Sequence, residues 1–380
     1  MFKKFTVGNF LSFHHHQSFT MASESSKRVN NVSNYSINQF SAIFGEHKED
    51  FFTAIKYAKT IFLEGTQSTS PPFCSSAQIS NKEIPSSFDF EIYLNGATYS
   101  IGFEVDTTSN EIVEQWLLQI DKGKKEILYY YNRITGNHTY KEDLFSNEEF
   151  STIVEKKGLH TLLVSEFAIK KVLFSSIMNW FSTLVVIPNI SSYQHKTKTI
   201  IKLEDNNQTI LKIFEGLFRP VIEGKFSQLE KLLEAEPTVN VAYLHENLFY
   251  MRLFNGNETV WFEICCKNYS KEISSLLFLL LSMEEGIPVF VNIVENILAP
   301  SLLTQFITYF FSIGQNKEVQ LVIGTEETTL LNTNFLKKNE MWFVTQGDLL
   351  ASRLISYDCF FFEEGKDIAA AYKAGEFSYT

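Results

Sequence analysis

The chain of 380 residues is poor in cysteine and proline, with four and eight, and no apolar run approaches the roughly 18 residues a membrane-crossing helix needs. Ile273 to Met283 stops against Glu284 and Glu285, and Val172 to Ile187 is interrupted by serines and an asparagine, so both read as buried elements. The opening Met-Phe-Lys-Lys is followed by Phe5 and Val7 alternating with polar residues, without the continuous apolar core of a secretory signal. A cytoplasmic protein is expected. Cys74, Cys265, Cys266 and Cys359 have no CxxC spacing, and the adjacent pair would point to opposite faces of a strand, so they read as free core thiols rather than disulfides or zinc ligands. Positive charge is scarce as well: a net charge of -11 argues against a generic polyanion-binding surface. One segment departs from this. Between Ser151 and Lys202, Lys156, Lys157, Lys170, Lys171, Lys196, Lys198 and Lys202 face only Glu155 and Glu166, a face suited either to nucleic acid or an acidic partner, or simply to solvent.

What is abundant is core material. Hydrophobic residues make up 44% of the chain, and its 36 phenylalanines are most simply core, enough for a sizeable packed interior. Phe5 to Phe10 and Gln17 to Met21 alternate as two strands of a hairpin whose tip carries His14, His15 and His16. Alternation puts only two of those imidazoles on one face with no acid or cysteine at fixed spacing, so a hairpin tip is expected rather than a metal site. His138 lies in a turn context, and no Ser-His-Asp or Cys-His grouping can be assembled from sequence order. Ser41 to Phe44 is a buried-type strand, Gly45 breaks it, and Phe51, Phe52, Ile55, Tyr57, Ala58, Ile61 and Phe62 follow at helical spacing. Thr66 to Pro85 reads as a surface loop. Phe88 to Val105 alternates around Asn95-Gly96, a strong hairpin signal, and Trp116 to Tyr131 continues the sheet through a turn at Asp121-Lys122-Gly123.

From Asn147 to about Phe226 the pattern is mostly helical, closed in part by Pro188; strands then return at Phe249 to Leu253, Thr259 to Ile264, Val289 to Ile293 and Val319 to Gly324, with helices at Ser270 to Met283 and Pro300 to Ser312. Such alternation predicts an α/β fold with a parallel or mixed sheet flanked by helices. Phe360, Phe361, Phe362 and Tyr372 keep an apolar register to the end of the chain.

Several segments, in order, carry a resemblance: Phe5-x-Val7-x-Asn9-Phe10-x-Ser12-Phe13; Ser86 to Ile92, then Tyr99-x-x-Gly102-Phe103-Glu104-Val105 and Val113 to Leu117; Asn179-Trp180-Phe181; Met341 to Val344; and Tyr372-x-x-Gly375-x-Phe377. Together they resemble the AAA-family bacterial ATPases of phage-defence and abortive-infection type, which are built like ABC and SMC heads. The resemblance implies an ABC-type, P-loop NTPase-like head with an antiparallel N-lobe sheet. It implies residues 1–135 as the N-lobe and phosphate-loop part, 140–235 as a helical insertion, and 240–380 as the C-lobe.

Against that pattern the nucleotide-binding motifs are degenerate. A phosphate-binding loop needs glycines, a lysine and a Ser or Thr for magnesium. Here Gly45 is followed by Glu46-His47-Lys48-Glu49-Asp50 and the helix, about three residues short by comparison with the family, with Lys48 too early to be the helix-start lysine. Glu49 and Asp50 at the helix N-terminus would repel a triphosphate by more than the dipole attracts it, since a helix end contributes only about 0.3 to 1 kcal/mol; they read equally as part of an ordinary capped helix start. The paired acids that normally end an apolar strand, here Val289-Phe290-Val291, appear as Asn292 and Ile293, with Glu295 standing at a further, non-catalytic position. The signature loop appears as Asn268-Tyr269-Ser270-Lys271, where Tyr269 blocks close backbone approach and Ser270 suits a helix N-cap. Glu326 stands where the switch histidine is expected.

The combination implies a pseudo-ATPase needing no cofactor, pairing with itself or with an active ATPase or effector subunit. Two alternatives stay open: an ATP and magnesium site completed by a partner subunit, and a nucleic-acid-binding module using Lys156 to Lys202.

Overall fold

Alternation and hairpin signals in the first third of the chain produce one large antiparallel sheet. The computed structural model describes residues 1–23, 29–32, 35–69, 84–121, 123–146, 148–151, 160–189, 201–203, 238–245, 248–254, 259–265, 287–293, 303–304, 307–308, 310–311, 319–332, 336–347, 351–362 and 365–377. The chain starts with β1 (Phe2–Gly8), β2 (Gln17–Thr20), β3 (Ala22–Ser23), β4 (Val29–Val32), β5 (Tyr35–Asn38) and β6 (Phe40–Phe44), then α1 (Lys48–Glu64). There follow β7 (Ser86–Leu94), β8 (Ala97–Asp106), β9 (Glu111–Asp121), β10 (Lys124–Asn132) and β11 (His138–Tyr140). Two helices, α2 (Leu163–Glu166) and α3 (Val172–Thr183), lead into β12 (Val185–Ile187). Next come β13 (Ile201–Leu203), β14 (Thr238–His245), β15 (Leu248–Phe254), β16 (Thr259–Cys265), β17 (Val289–Asn292) and β18 (Leu321–Gly324). The chain closes with β19 (Met341–Gln346), β20 (Ser352–Ser356) and α4 (Ile368–Lys373).

The contacts divide the chain into two compact units. The first comprises Met1–Pro188, Gly286–Asn292 and Glu318–Thr380, and the second Asn189–Glu285 and Ile293–Lys317. Residues 140–188, read from the sequence as the start of an insertion, therefore lie in the first unit.

Two principal sheets organise the first unit. The larger is antiparallel, in the order β11-β10-β9-β8-β7-β1-β2, and contains all three hairpins expected from the alternating stretches. Its turn at Asn95-Gly96 has both residues at positive φ, as a two-residue hairpin turn requires. The second sheet runs β12-β17-β18-β6-β19-β20, parallel except for the edge strand β20. A short three-stranded sheet, β3-β5-β4, completes the unit. The fold class is thus α/β, a mixed sheet flanked by helices with an antiparallel N-lobe sheet, the architecture implied for an ABC-type, P-loop-like head.

Helix α1 joins the layers. Two of its phenylalanines face the antiparallel sheet: Phe51 packs edge-on against Phe5 and Phe19, and Phe62, three turns on, against Phe90 and Phe103. The helix also touches β12 and β17 of the parallel sheet. A helix covered on two sides must be apolar over most of its circumference, and nine of its residues, including Tyr57 and Lys48, are buried. Tyr57 finds no hydrogen-bond partner for its buried hydroxyl among the described residues, and burial raises its pKa far above the usual phenol range, so it stays neutral. Helix α3 lies along the same layer, with Phe181 stacked on Phe62 at 3.9 Å between ring centroids.

The second unit contains the antiparallel sheet β13-β14-β15-β16. Phe249 to Leu253 and Thr259 to Ile264 were expected to join the alternating α/β sheet. They form a hairpin of this separate sheet instead, because the adjacent strand β14, with no clear alternation to announce it, offers antiparallel pairing along its whole length.

Other sequence expectations also need correction. The segment from 147 to about 226 was expected to be mostly helical, without a strand, yet Val185–Ile187 is one, paired in parallel with β17; three β-branched residues are too few to show a period. Helix α1 starts at Lys48, three residues before the first apolar residue of its stripe. Cys359 is exposed rather than in the core, because Tyr357 takes the inward place of that short turn. Phe361 departs from the buried register of the tail at 99% exposure, whereas Phe377 stacks on Phe343 of β19. The expected helix at Ser270 to Met283 lies outside the described residues, as do Cys74 and Cys266.

Candidate functional site

In an open parallel sheet the place for a ligand is the crevice beyond the carboxyl ends of the strands. Here that edge is formed by Phe44-Gly45 after β6, Asn292 at the end of β17, Gly324 to Glu326 after β18, and the first turn of α1. Gly45 holds a φ of 117°, and a Cβ there would come within 2.1 Å of the Val344 carbonyl oxygen. The glycine is thus fixed by the neighbouring strand β19, which crowds the exit of β6, before any ligand is considered.

The loop Gly45-Glu46-His47 turns directly into α1. His47 occupies the N-cap position without a side-chain cap, so the start is not the side-chain-capped one read from the sequence. Glu49 and Asp50 do lie in the first turn; Glu49 is exposed, and Asp50 accepts a long hydrogen bond of 3.3 Å from the Ser12 backbone N–H.

Lys48 differs from both. It is buried, its Nζ donates to Gly45 O at 3.3 Å, and it forms a 2.7 Å ion pair with Glu326 Oε1. Two positions that each read separately as a departure from the family pattern thus answer one another across 278 residues. The ammonium that a phosphate would need is already matched by a carboxylate of the same chain. Thr325 fixes the approach of Glu326: its backbone N–H donates to Ile43 O at 2.9 Å, and its hydroxyl accepts from the Glu327 N–H at 3.1 Å.

Asn292 is paired in register with Gly324 and is buried, and its Oδ1 has no hydrogen-bond partner among the described residues. A Cβ at Gly324 would fall 2.5 Å from that oxygen and 2.7 Å from the Phe52 ring, so the glycine leaves room for both side chains. Ile293 is buried next in sequence. Magnesium triphosphate requires hard oxygen ligands, at least one carboxylate, and backbone N–H groups wrapped around phosphate. The donor set here does not fit it: an amide and an isoleucine follow β17, Glu49 follows the lysine, and the lysine is engaged. Glu295, Tyr269 and Ser270 lie outside the described residues, as do Lys156, Lys157, Lys196 and Lys198. Lys202 is in β13. Lys170 and Lys171 lie just before α3, with Lys171 Nζ 3.8 Å from Glu149.

The ion pair predicts an asymmetric response to mutation. Glu326→Gln leaves Lys48 buried with one carbonyl for company and is expected to lower stability by about 1–2 kcal/mol, less than for a fully buried pair because the Glu326 side chain is half exposed. Lys48→Met should be milder, since the Glu326 side chain is already half exposed, and adding Glu326→Gln to it should change little. Urea unfolding of the four proteins gives the coupling; additive effects would mean that the contact contributes nothing.

No family model matches the chain, and no curated protein matches it. Among solved structures, an SMC head bound to the C-winged helix domain of ScpA is similar over 93% of this chain and 97% of that chain, at 10% identity and a TM-score of 0.44. An Smc head domain with an extended coiled coil, bound to the C-terminal domain of ScpA from Pyrococcus furiosus, is similar over 99% and 98% at 9% identity and a TM-score of 0.40. The α/β class stands on the strand order and the β6–loop–α1 connection. Among the described residues, no helix is long and apolar enough to cross a membrane and no group of three or more His, Cys, Asp or Glu side chains has the arrangement of a metal site.

Proposed function

We propose that this chain is a pseudo-ATPase: an ABC-type head that no longer binds or hydrolyses ATP and acts as a structural or regulatory subunit. The observation that carries the reading is the Lys48–Glu326 ion pair, which uses the crevice's buried cation internally. The amide at Asn292, at the end of β17, supports it as well, and the sequence carries isoleucine rather than a carboxylate at 293. Without an acid at positions 292 and 293 to hold magnesium or position water, phosphoryl transfer lacks its usual supports there. Phe44, Phe52 and Asn292 around the crevice are nevertheless buried, as in a fold retained for assembly. Its partners are then a second copy, an active ATPase or an effector subunit, and the resemblance to phage-defence ATPases points to a bacterial defence-type complex.

The test is a melting curve with and without Mg-ATP. A ligand confined to the folded state adds RT ln(1 + [L]/Kd), about 2.7 kcal/mol at roughly a hundred times Kd. At about 5 mM nucleotide the midpoint is expected to stay where it is, provided Kd is well above that range. A rise of several degrees, with phosphate release by the isolated chain, would overturn the proposal.

A further inference from the structure

The antiparallel sheet has a second face, turned away from α1, and its residues do not read as an ordinary solvated surface. Strand register lines up Thr6, Asp89, Gly102, Trp116 and Tyr130 across β1, β7, β8, β9 and β10. Trp116 lies flat over Gly102, where a Cβ would come within 2.4 Å of the indole ring. Its Nε1–H donates to Asp89 Oδ1 at 2.8 Å, and the Ser100 hydroxyl donates to the same oxygen at 2.7 Å. A large aromatic ring on the outer side of a sheet is thereby held rigid, at no further entropic cost to a partner that covers it.

Beside the ring, Glu104 and Glu114 stand directly opposite each other on β8 and β9, an arrangement that costs stability in a sheet. Burial raises the pKa of Asp89, and burial followed by the Glu114 charge raises that of Glu104, so each carboxylate gains from a cation brought close to it. These side chains line a groove of about 610 Å³ with Leu118 and Ile127 on its wall; the only basic groups among its lining residues are Lys125 and His16. Its chemistry is therefore acidic and aromatic, and it calls for a cationic, partly apolar occupant.

The chain displays such an element. Leading from α2 into the first residue of α3, Ile169-Lys170-Lys171-Val172 exposes Ile169 at 99% and Val172 at 83%, two apolar side chains flanking two lysines. Neither has a packing role within the described residues to account for its place. Charge and apolar character match the groove: two lysines against Asp89, Glu104 and Glu114, two aliphatic side chains against Trp116 and Tyr130.

We propose that the groove on the outer face of the antiparallel sheet receives the Ile169–Val172 turn of a second copy, so that the chain associates with itself through this contact. The site is separate from the crevice at Lys48 and does not depend on the fate of nucleotide there. Because groove and turn are on one chain, two copies exchange both contacts in a closed dimer, or one contact in an open chain.

Sedimentation velocity of the full chain from low to high micromolar concentration tests this. Association is expected to rise with concentration and to weaken at high salt, as a contact between charged surfaces does. Lys170→Glu/Lys171→Glu and Glu104→Lys/Glu114→Lys should each weaken it by about tenfold or more. Mixing the two reversed proteins should restore it, because each reversed face then meets its complement; restoration also shows that both variants are folded. Glu104→Gln/Glu114→Gln, with side chains of nearly unchanged shape, should give an intermediate loss. A chain that stays monomeric throughout, association indifferent to both reversals, or a mixture that fails to associate although both variants melt cooperatively would each overturn the proposal. So would a monomer whose groove binds only a lysine-rich peptide, since the occupant would then be another protein.

Discussion

Gly45→Ala is expected to destabilise the protein by about 3 kcal/mol or more, enough to leave much of a marginally stable chain unfolded. Two costs add. The backbone φ of 117° lies in a region that residues with a Cβ seldom enter, and the new Cβ would lie 2.1 Å from Val344 O, well inside contact distance. Relief would require β6 and β19 to separate, and they are hydrogen-bonded neighbours through Phe44 and Phe343. Urea unfolding of the variant should show a lower midpoint at unchanged slope. In a nucleotide-binding loop the same substitution would damage ligand affinity at nearly unchanged stability; a loss under about 1 kcal/mol would show that the strand crowding described here is not what holds Gly45 in place.

Phe181→Ala should cost about 3–5 kcal/mol, the range for truncating a large buried aromatic side chain. Phe181 is fully buried on α3, stacked on Phe62 of α1, with its centroid 5.1 Å from Phe90 and 5.0 Å from Trp180. Removing the ring leaves three neighbours facing a void between helix and sheet that none can fill without leaving its own rotamer. Phe181→Leu, which keeps most of the volume, should cost under about 1.5 kcal/mol. Equal effects of the two variants would mean that the site collapses freely and that this layer is not close-packed.

Much of this fold was legible in order. Hairpins announced themselves because alternation and Asn95-Gly96 are local signals, and β6, β17 and β18 because short β-branched or aromatic runs flanked by Gly or Asn have few other readings. What stayed hidden was non-local or too short. Val185–Ile187 is three residues long, and the antiparallel sheet of the second unit depends on pairing with β14, which no single segment encodes. The candidate site was half legible. Gly45, Asn292 and Ile293 could be read position by position against a family pattern, but Lys48 and Glu326 each looked like an isolated departure. Their pairing is a fact of three dimensions, set by Thr325 bonding back to β6. The aromatic groove was missed because Trp116 fits the alternation of an ordinary strand; only Gly102 opposite it, read as a pair, hinted that an indole lies across the sheet.

Gln320 links these places. Its side-chain amide accepts from the Phe2 N–H at 2.7 Å and donates to the Phe2 carbonyl at 2.8 Å, so it imitates a peptide unit bridging the parallel sheet to β1. It sits at the root of β18, and Glu326 sits just past that strand's other end. The strand is therefore a strut with an anchor at either end: one grips α1 through Lys48, the other grips the first strand of the N-lobe. A force that drew Glu326 out of the crevice would load Phe2 through β18, and through it the sheet on whose far side Trp116 lies.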